Sequence, residues 1–342
     1  MKINRILLIA ALALMALSVF SYTDSVRRAE RFERGQKFLQ NLNPDSIAEI
    51  AIKKGDESTQ LRRDGDRFVV TDAGGYPAKN ESVNRFIRDV LELSLEKEIG
   101  DSESLVEELE LSPGGENTTE VTFKDESQQD MVHFLIGKSL DDGGGNYIRR
   151  TDGDDSTIYL TSSRVYLSTG QDDFLKKEIL NVASTDVAAI QGQGFRIEDQ
   201  DGSLALVDVP AGKKESSKVS QLESLLSGLR FTKHHLADAP EVQGLAFRSV
   251  VDFDLKDESG YRVAVASKGE KHYLRIQGYH NAGQLTIAPD ADEDEAAEVA
   301  EKLKSQNEIQ TFNDFHGSWI YEVAEATADR VRVSARDLIE DA

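Results

Sequence analysis

The chain contains no cysteine, and this absence removes several kinds of chemistry at once. Without thiols there are no disulfide bonds, no thiolate zinc sites, no cysteine nucleophile and no lipidated N-terminal cysteine. The H-E-x-x-H, G-x-S-x-G and Walker patterns that mark common enzyme classes are also absent from the sequence. We therefore predict a non-enzymatic protein, with no catalytic residues, no metal site and no cofactor.

Basic residues are scarce. The 342 residues include 40 lysines and arginines against 62 acids, for a net charge of −22. Residues 1–43 carry seven basic and three acidic side chains, or +4, so the rest of the chain carries −26. Such a surface repels phosphate backbones, which argues against a nucleic-acid partner. With 39% apolar residues, a chain of this length predicts about two folded domains.

Residues 1–23 have the pattern of a membrane anchor. Lys2 and Arg5 precede an uncharged run over residues 6–22, which as a helix would span ~25 Å of a ~30 Å hydrocarbon core. A cleaved signal peptide is the alternative, since small residues stand near the end of the run. The absence of a clean A-x-A pair favours a retained single-pass anchor.

Residues 24–43 predict a juxtamembrane helix with a narrow apolar stripe that includes Phe38 and Leu39. Its basic residues follow the span, and the positive-inside tendency taken alone would keep them in the cytoplasm. Long domains translocate largely regardless of charge, so we expect an N-in anchor of the bacterial cytoplasmic membrane with a periplasmic body. The candidate contacts to a partner beside the membrane are Arg27, Arg28, Arg31 and Arg34.

The tetrapeptide KDES occurs twice, at residues 124–127 and 256–259, and its surroundings indicate an internal duplication. Each copy follows strand-like runs, a Pro/Gly turn and a helical pattern. The apolar helix positions Val83 and Phe86 recur at Val219 and Leu222, displaced by 136 residues. The displacement between matched positions of the two copies falls from 140 to 132 residues along the chain, and each step falls in a loop. This is expected when repeats diverge by short deletions.

The repeat predicts an α+β fold with two tandem copies of a mostly antiparallel sheet-plus-helix unit. The predicted units cover residues 44–182 and 183–342, and the second carries an insertion at 278–317 that contains an acidic helix. A third match aligns "NYIRRTDGDDSTIYLTSSRVYL" with "SWIYEVAEATADRVRVSARDLI", which places Tyr147 opposite Trp319.

Candidate site residues outside the N-terminal region are aromatic. Tyr76, Tyr147, Trp319 and Tyr321 stand at turn–strand junctions, where core packing is the simplest role and an exposed cluster would mark a partner-binding patch. His234 and His235 are adjacent on an extended segment and point to opposite faces, so they make a poor ligand pair.

Several landmarks together resemble the uncharacterised family known as domain of unknown function 4340. They are a Gly-Tyr-Pro-Ala turn at residues 75–78, a strand ending in Ile136-Gly137, and a glycine-rich loop leading to a tyrosine strand at residues 143–148. The segment "ELELSP" departs from the family's usual Tyr-Gly-Leu-Asp-Pro and puts only that turn in doubt. The resemblance implies an anchored envelope protein, often encoded beside ABC-transporter genes of the gliding-motility type, and lends no catalytic residues.

These observations lead to a functional expectation. We expect a membrane-anchored accessory component of an ABC-type transport system that contacts a permease or a sister envelope subunit. The alternative is an envelope protein that binds a small ligand or glycan in a cleft between the two repeats. The sequence leaves the oligomeric state open.

Overall fold

The computed structural model describes Ser18 and residues 33–141, 143–151, 153, 156–200, 202–281 and 293–342. The predicted anchor of residues 1–23, apart from Ser18, and the basic segment 24–32 lie outside the described residues. Within the described ranges, no helix is both long and apolar enough to cross a bilayer. The chain divides between Lys176 and Lys177 into two compact units, six residues before the expected boundary.

The first unit is an antiparallel sheet with helices packed on it. The strands in its described residues are β1 (Glu49–Lys54), β2 (Glu57–Asp64), β3 (Arg67–Val70), β4 (Tyr76–Pro77), β5 (Leu95–Gly100), β6 (Thr119–Lys124), β7 (Asp130–Ser139), β8 (Asn146–Arg150) and β9 (Ile158–Thr161). Its helices are α1 (Asn80–Glu92), α2 (Glu103–Glu108) and α3 (Gln171–Phe174). The strand order is β4-β3-β2-β1-β6-β7-β8-β9-β5.

The predicted apolar face of α1 forms the core of this unit. Val83, Phe86 and Val90 recur at helical spacing and are all buried, as is Ile87. The ring of Phe86 packs edge-on against Phe123 of β6, with centroids 6.3 Å apart. The helix thus covers one face of the sheet, as an α+β unit requires.

The second unit begins at Lys177. The strands in its described residues are β10 (Glu178–Leu180), β11 (Val187–Gly192), β12 (Phe195–Gln200), β13 (Ser203–Leu206), β14 (Lys213–Glu215), β15 (Leu229–Arg230), β16 (Lys233–Leu236), β17 (Ser249–Leu255), β18 (Ser259–Lys268), β19 (Lys271–His280), β20 (Trp319–Val323) and β21 (Ile339–Asp341). Its helices are α4 (Lys218–Glu223), α5 (Glu293–His316) and α6 (Glu325–Val331). The main sheet has the order β13-β12-β11-β17-β18-β19-β20-β16, and β10-β15 and β14-β21 form two small ladders.

The two main sheets share one strand order. Strands β11, β12 and β13 correspond to β1, β2 and β3, and strands β16 to β20 correspond to β5 to β9. With this correspondence the second sheet has the strand order of the first, without its terminal strand β4. This order corrects the third sequence match, because Trp319 lies in β20, the equivalent of β9, whereas Tyr147 lies in β8. The insertion therefore separates the strands equivalent to β8 and β9.

Both KDES segments form the turn between equivalent strands, β6–β7 and β17–β18. In the first turn, Asp125 Oδ1 accepts hydrogen bonds from the backbone N–H groups of Ser127 and Gln129. In the second, Asp257 Oδ1 accepts from the Ser259 N–H and hydroxyl. The shared aspartate therefore closes a turn through its own side chain in each unit.

The predicted juxtamembrane helix does not extend through residues 33–43, which are not helical. Gly35 has φ +86°, a backbone conformation that ends a helix readily. The segment instead runs beside the start of β5, where the Gly35 and Phe38 N–H groups donate to the carbonyls of Leu95 and Leu93. Phe38 and Leu39, the expected helix stripe, are buried in the first unit.

Candidate functional site

A groove of about 600 Å³ opens in the first unit where the chain enters the fold. Residues 36–42 form one wall, and Leu95, Met131, Val132, Arg150 and Tyr159 complete the lining. We call this feature the N-terminal groove. Its size is within the usual range for ligand and peptide sites.

The wall of the groove is fixed by backbone pairing with β5. The Gly35 N–H donates to Leu95 O at 2.7 Å, and the Leu95 N–H donates to Gln36 O at 2.9 Å. Lys37 Nζ adds a hydrogen bond of 2.9 Å to the carbonyl of Glu92, near the end of α1. The segment is therefore tied to the sheet although it forms no helix or long strand.

The lining of the groove mixes apolar and polar side chains. Phe38 is buried, and its ring packs edge-on against Phe134 with centroids 5.5 Å apart. The described lining includes two basic side chains, Lys37 and Arg150, and no carboxylate. In a chain with net charge −22, a lining without a carboxylate differs from the acidic composition of the chain as a whole.

Of the four predicted arginines, only Arg34 lies in the described residues. Its guanidinium contacts the carboxylate of Glu96 at 2.5 Å, and the Arg34 side chain is 76% exposed. This exposed pair attaches the start of the segment to β5 and contributes little stability. Arg27, Arg28 and Arg31 lie outside the described residues, so their role stays a prediction.

Three of the four aromatic candidates have the core-packing role that was the simplest expectation from the sequence, and they do not form the exposed patch that was its alternative. Tyr76, Trp319 and Tyr321 are buried, and Tyr147 packs partly buried against the cluster that includes Leu109 and Leu135. Their large rings fill the interior, where they remove much apolar area from water. None of the three buried side chains offers a surface to a partner.

Tyr321 belongs to an aromatic array that attaches α5 to the sheet. His316 Nδ1 lies 2.6 Å from the Tyr321 hydroxyl, and the imidazole is 4.1 Å from the ring of Phe312. Tyr261, whose ring packs edge-on against Phe312, has its pKa raised to about 12, first by burial and then by Asp257 and Glu308. The array holds the inserted helix against the sheet, and the raised pKa of Tyr261 keeps its hydroxyl un-ionised at ordinary pH.

The adjacent histidines face opposite sides of β16, as predicted. His234 packs edge-on against Phe231 and Trp319, whereas the ring of His235 lies 6.0 Å from that of Tyr273. His235 Nε2 is 3.6 Å from a carboxylate oxygen of Glu322. Across the described ranges, no set of three or more His, Asp or Glu side chains is placed to hold a metal ion.

The N-terminal groove was not predicted from the sequence. Phe38 and Leu39 were assigned to a helical stripe, whereas they form and support the groove wall. Gly35 was the available signal, because a glycine inside a predicted helix costs about 1 kcal/mol relative to alanine and often marks the end of the helix.

The fold defines an α+β protein built from antiparallel sheets, and sequence comparison places it in a family. Residues 69–246, or 178 of 342, match the family described as Domain of unknown function (DUF4340). The chain belongs to this family. No curated protein and no solved structure matches it.

The structure gives physical roles to the family landmarks. A Cβ at Gly137 would lie 2.1 Å from Leu109 O, and a Cβ at Gly145 would lie 1.8 Å from Thr161 O, so both positions require glycine for close backbone approach. Tyr76, in the Gly-Tyr-Pro-Ala turn, is buried at 1% exposure. These landmarks therefore shape the first unit.

Proposed function

We propose that the protein is a membrane-anchored, periplasmic accessory component of an ABC-type transport system, which acts through contacts with a permease or sister subunit. The match to the DUF4340 family supports the resemblance from which this envelope and transport role is inferred. The N-terminal pattern of Lys2, Arg5 and an uncharged run supports the anchor. The proposal includes a duplicated architecture, supported by the shared strand order of the two sheets.

The position of the N-terminal groove carries the proposal. Its wall begins at Gln36, thirteen residues after the end of the predicted anchor at Thr23. Thirteen residues span at most ~45 Å when fully extended and about 20 Å as a helix. A groove on so short a tether stays near the membrane surface, within reach of a neighbouring membrane protein.

The lining of the groove supports a protein occupant. Apolar residues of the lining, among them Leu95, Met131 and Val132, suit contact with one or two apolar side chains. The described lining contains no carboxylate, so an occupant with acidic groups meets no like charge there. We therefore expect a short periplasmic segment of the partner to bind in this groove.

Co-purification tests the proposal. The tagged, full-length protein is extracted from native membranes in mild detergent, and we expect permease and ATPase subunits to be recovered with it. The control replaces residues 1–32 by a cleavable signal and keeps the groove wall, which begins at Gln36. A protein that is recovered alone and released by osmotic shock would contradict the accessory role and favour a ligand-binding envelope protein.

A matched pair of variants tests the groove itself. Met131→Glu replaces an apolar side chain of the lining by a carboxylate and should reduce partner recovery at least tenfold. Gln129→Glu adds the same charge to an exposed position two residues earlier and should leave recovery unchanged. Equal recovery from both variants would exclude the groove as the contact site.

A further inference from the structure

The loop between β9 and α3, residues 162–170, exposes an aromatic side chain to an unusual degree. Tyr166 is 76% exposed, and Leu236 at 45% is the other exposed large hydrophobic residue in the described ranges. Leaving a tyrosine ring in water forgoes the favourable free energy of its burial. A single exposed side chain is ordinary, so the support beneath Tyr166 decides its significance.

The loop is attached to the sheet by buried polar groups. Asn146, at the start of β8, accepts a hydrogen bond of 2.9 Å from the Val165 N–H and donates one of 3.0 Å to Gly137 O. The hydroxyl of Thr161 donates to Ser163 O at 2.8 Å. Asn146 and Thr161 are both buried, so these bonds hold the loop on either side of Arg164 in a protected environment.

A glycine beneath the loop makes this attachment possible. Gly145 directly precedes Asn146, and its Cα lies so close to Thr161 O that a Cβ would be only 1.8 Å away. Both residues belong to the glycine-rich landmark of the family, at positions 143–148. The landmark therefore supports the presentation of Tyr166.

Arg164 extends the exposed surface. Its guanidinium carbon lies 5.7 Å from the centre of the Tyr166 ring, and Nη2 donates to the Ser139 hydroxyl at 3.3 Å. No ion pair links Arg164 to a carboxylate in the described part of the chain, although acids far outnumber bases in the sequence. The guanidinium thus keeps most of its five donors available.

We infer that Tyr166 and Arg164 form a binding surface for a protein segment that presents a carboxylate beside an apolar side chain. The ring supplies contact area at a low cost in conformational entropy, and Arg164 pairs with the carboxylate through a bidentate hydrogen bond. Tyrosine and arginine are enriched among the residues that dominate binding energy, and a loop already held in place loses little entropy on binding. The inference rests on the proposed function, since the segment belongs to the same membrane partner.

Quantitative co-purification of the full-length protein tests this surface. Tyr166→Ala and Arg164→Glu should each reduce recovery of the transporter subunits at least tenfold. Leu236→Ala, at the other exposed hydrophobic position, serves as the control and should leave recovery unchanged. The melting temperature of every variant is measured as well. All should match the unmodified protein, because the side chains of Tyr166, Arg164 and Leu236 are exposed and lie outside the core.

The outcomes separate the two proposals. If the unmodified protein recovers no transporter subunit, the proposed function fails and this surface fails with it. If it does recover them and the Tyr166 and Arg164 variants do so equally well, only the surface is overturned. A photo-crosslinking amino acid at position 166 identifies the contact: an adduct to a transporter subunit supports the inference, whereas an adduct to a second copy of this chain overturns it.

Discussion

The side-chain amide of Asn313 hydrogen-bonds both backbone groups of Gly278. The Gly278 N–H donates to Asn313 Oδ1 at 2.7 Å, and Asn313 Nδ2 donates to Gly278 O at 2.8 Å. Strand β20 pairs with β19 only at residues 272–274, so Gly278 has no ladder partner on that side. Asn313, on the inserted helix α5, takes the place of the missing strand and covers an exposed sheet edge.

We predict that Asn313→Ala destabilises the second unit by about 1–3 kcal/mol, because it leaves two partly buried backbone groups unsatisfied. Asn307→Ala, on an exposed position of the same helix, is the control and should change stability by less than about 0.5 kcal/mol. Differential scanning calorimetry of both variants measures the effect. Equal melting temperatures would show that the stability of the second unit does not depend on the two hydrogen bonds between Asn313 and Gly278.

The second prediction concerns the glycine beneath the exposed loop. Gly145→Ala should lower stability by about 1–3 kcal/mol, since its Cβ would be placed against the carbonyl of Thr161. It should also weaken partner recovery, because Asn146 would shift away from the Val165 N–H. Gly153→Ala is the matched control, as nothing lies within 4 Å of a Cβ there. Chemical denaturation together with co-purification checks both effects, and an undisturbed Gly145→Ala protein would contradict the close approach.

The parts of the fold that local pattern determines were predicted correctly. The face of α1 containing Val83, Phe86 and Val90 followed from helical spacing, because residues three and four apart share one side of a helix. The acidic helix of the insertion was likewise predicted, and it extends over Glu293–His316. The α+β class followed from the succession of strands around single helices.

The parts that depend on long-range pairing were not predicted. The segment around Lys37 pairs with Ser94, more than fifty residues away, and nothing in its own pattern indicates that partner. Trp319 was aligned one strand too early, because the insertion moved its strand away from its repeat equivalent. Tyr166 carried no signal, since local sequence does not indicate whether a loop tyrosine turns inward or outward.

A third prediction follows from the groove wall. Phe38→Ala should destabilise the first unit by about 3 kcal/mol, because it removes a buried ring that packs against Phe134. Gln40→Ala, on an exposed residue of the same segment, should have little effect. Thermal melts of the two variants distinguish a structural wall from a loosely attached linker, for which both changes would be neutral.

The last prediction concerns pH and Asp337. Hydrogen bonds from the Ser334 hydroxyl and N–H, and then from Lys218, lower the pKa of this carboxyl to about 2. Since the unfolded chain has a pKa of about 3.9, the ionised form stabilises the fold above about pH 4. This contribution is lost as the pH falls from about 4 to about 2.

Asp337→Asn removes that charge at every pH. It should lower the melting temperature at pH 7 and make progressively less difference toward pH 2, where about half of Asp337 in the unmodified protein is protonated. The side chain is 42% exposed, so we expect an effect of about 1 kcal/mol or less at pH 7. The exposed Asp66→Asn serves as the control for general charge effects. A difference that persisted unchanged to pH 2 would mean that Asp337 acts through the shape of its turn and not through its charge.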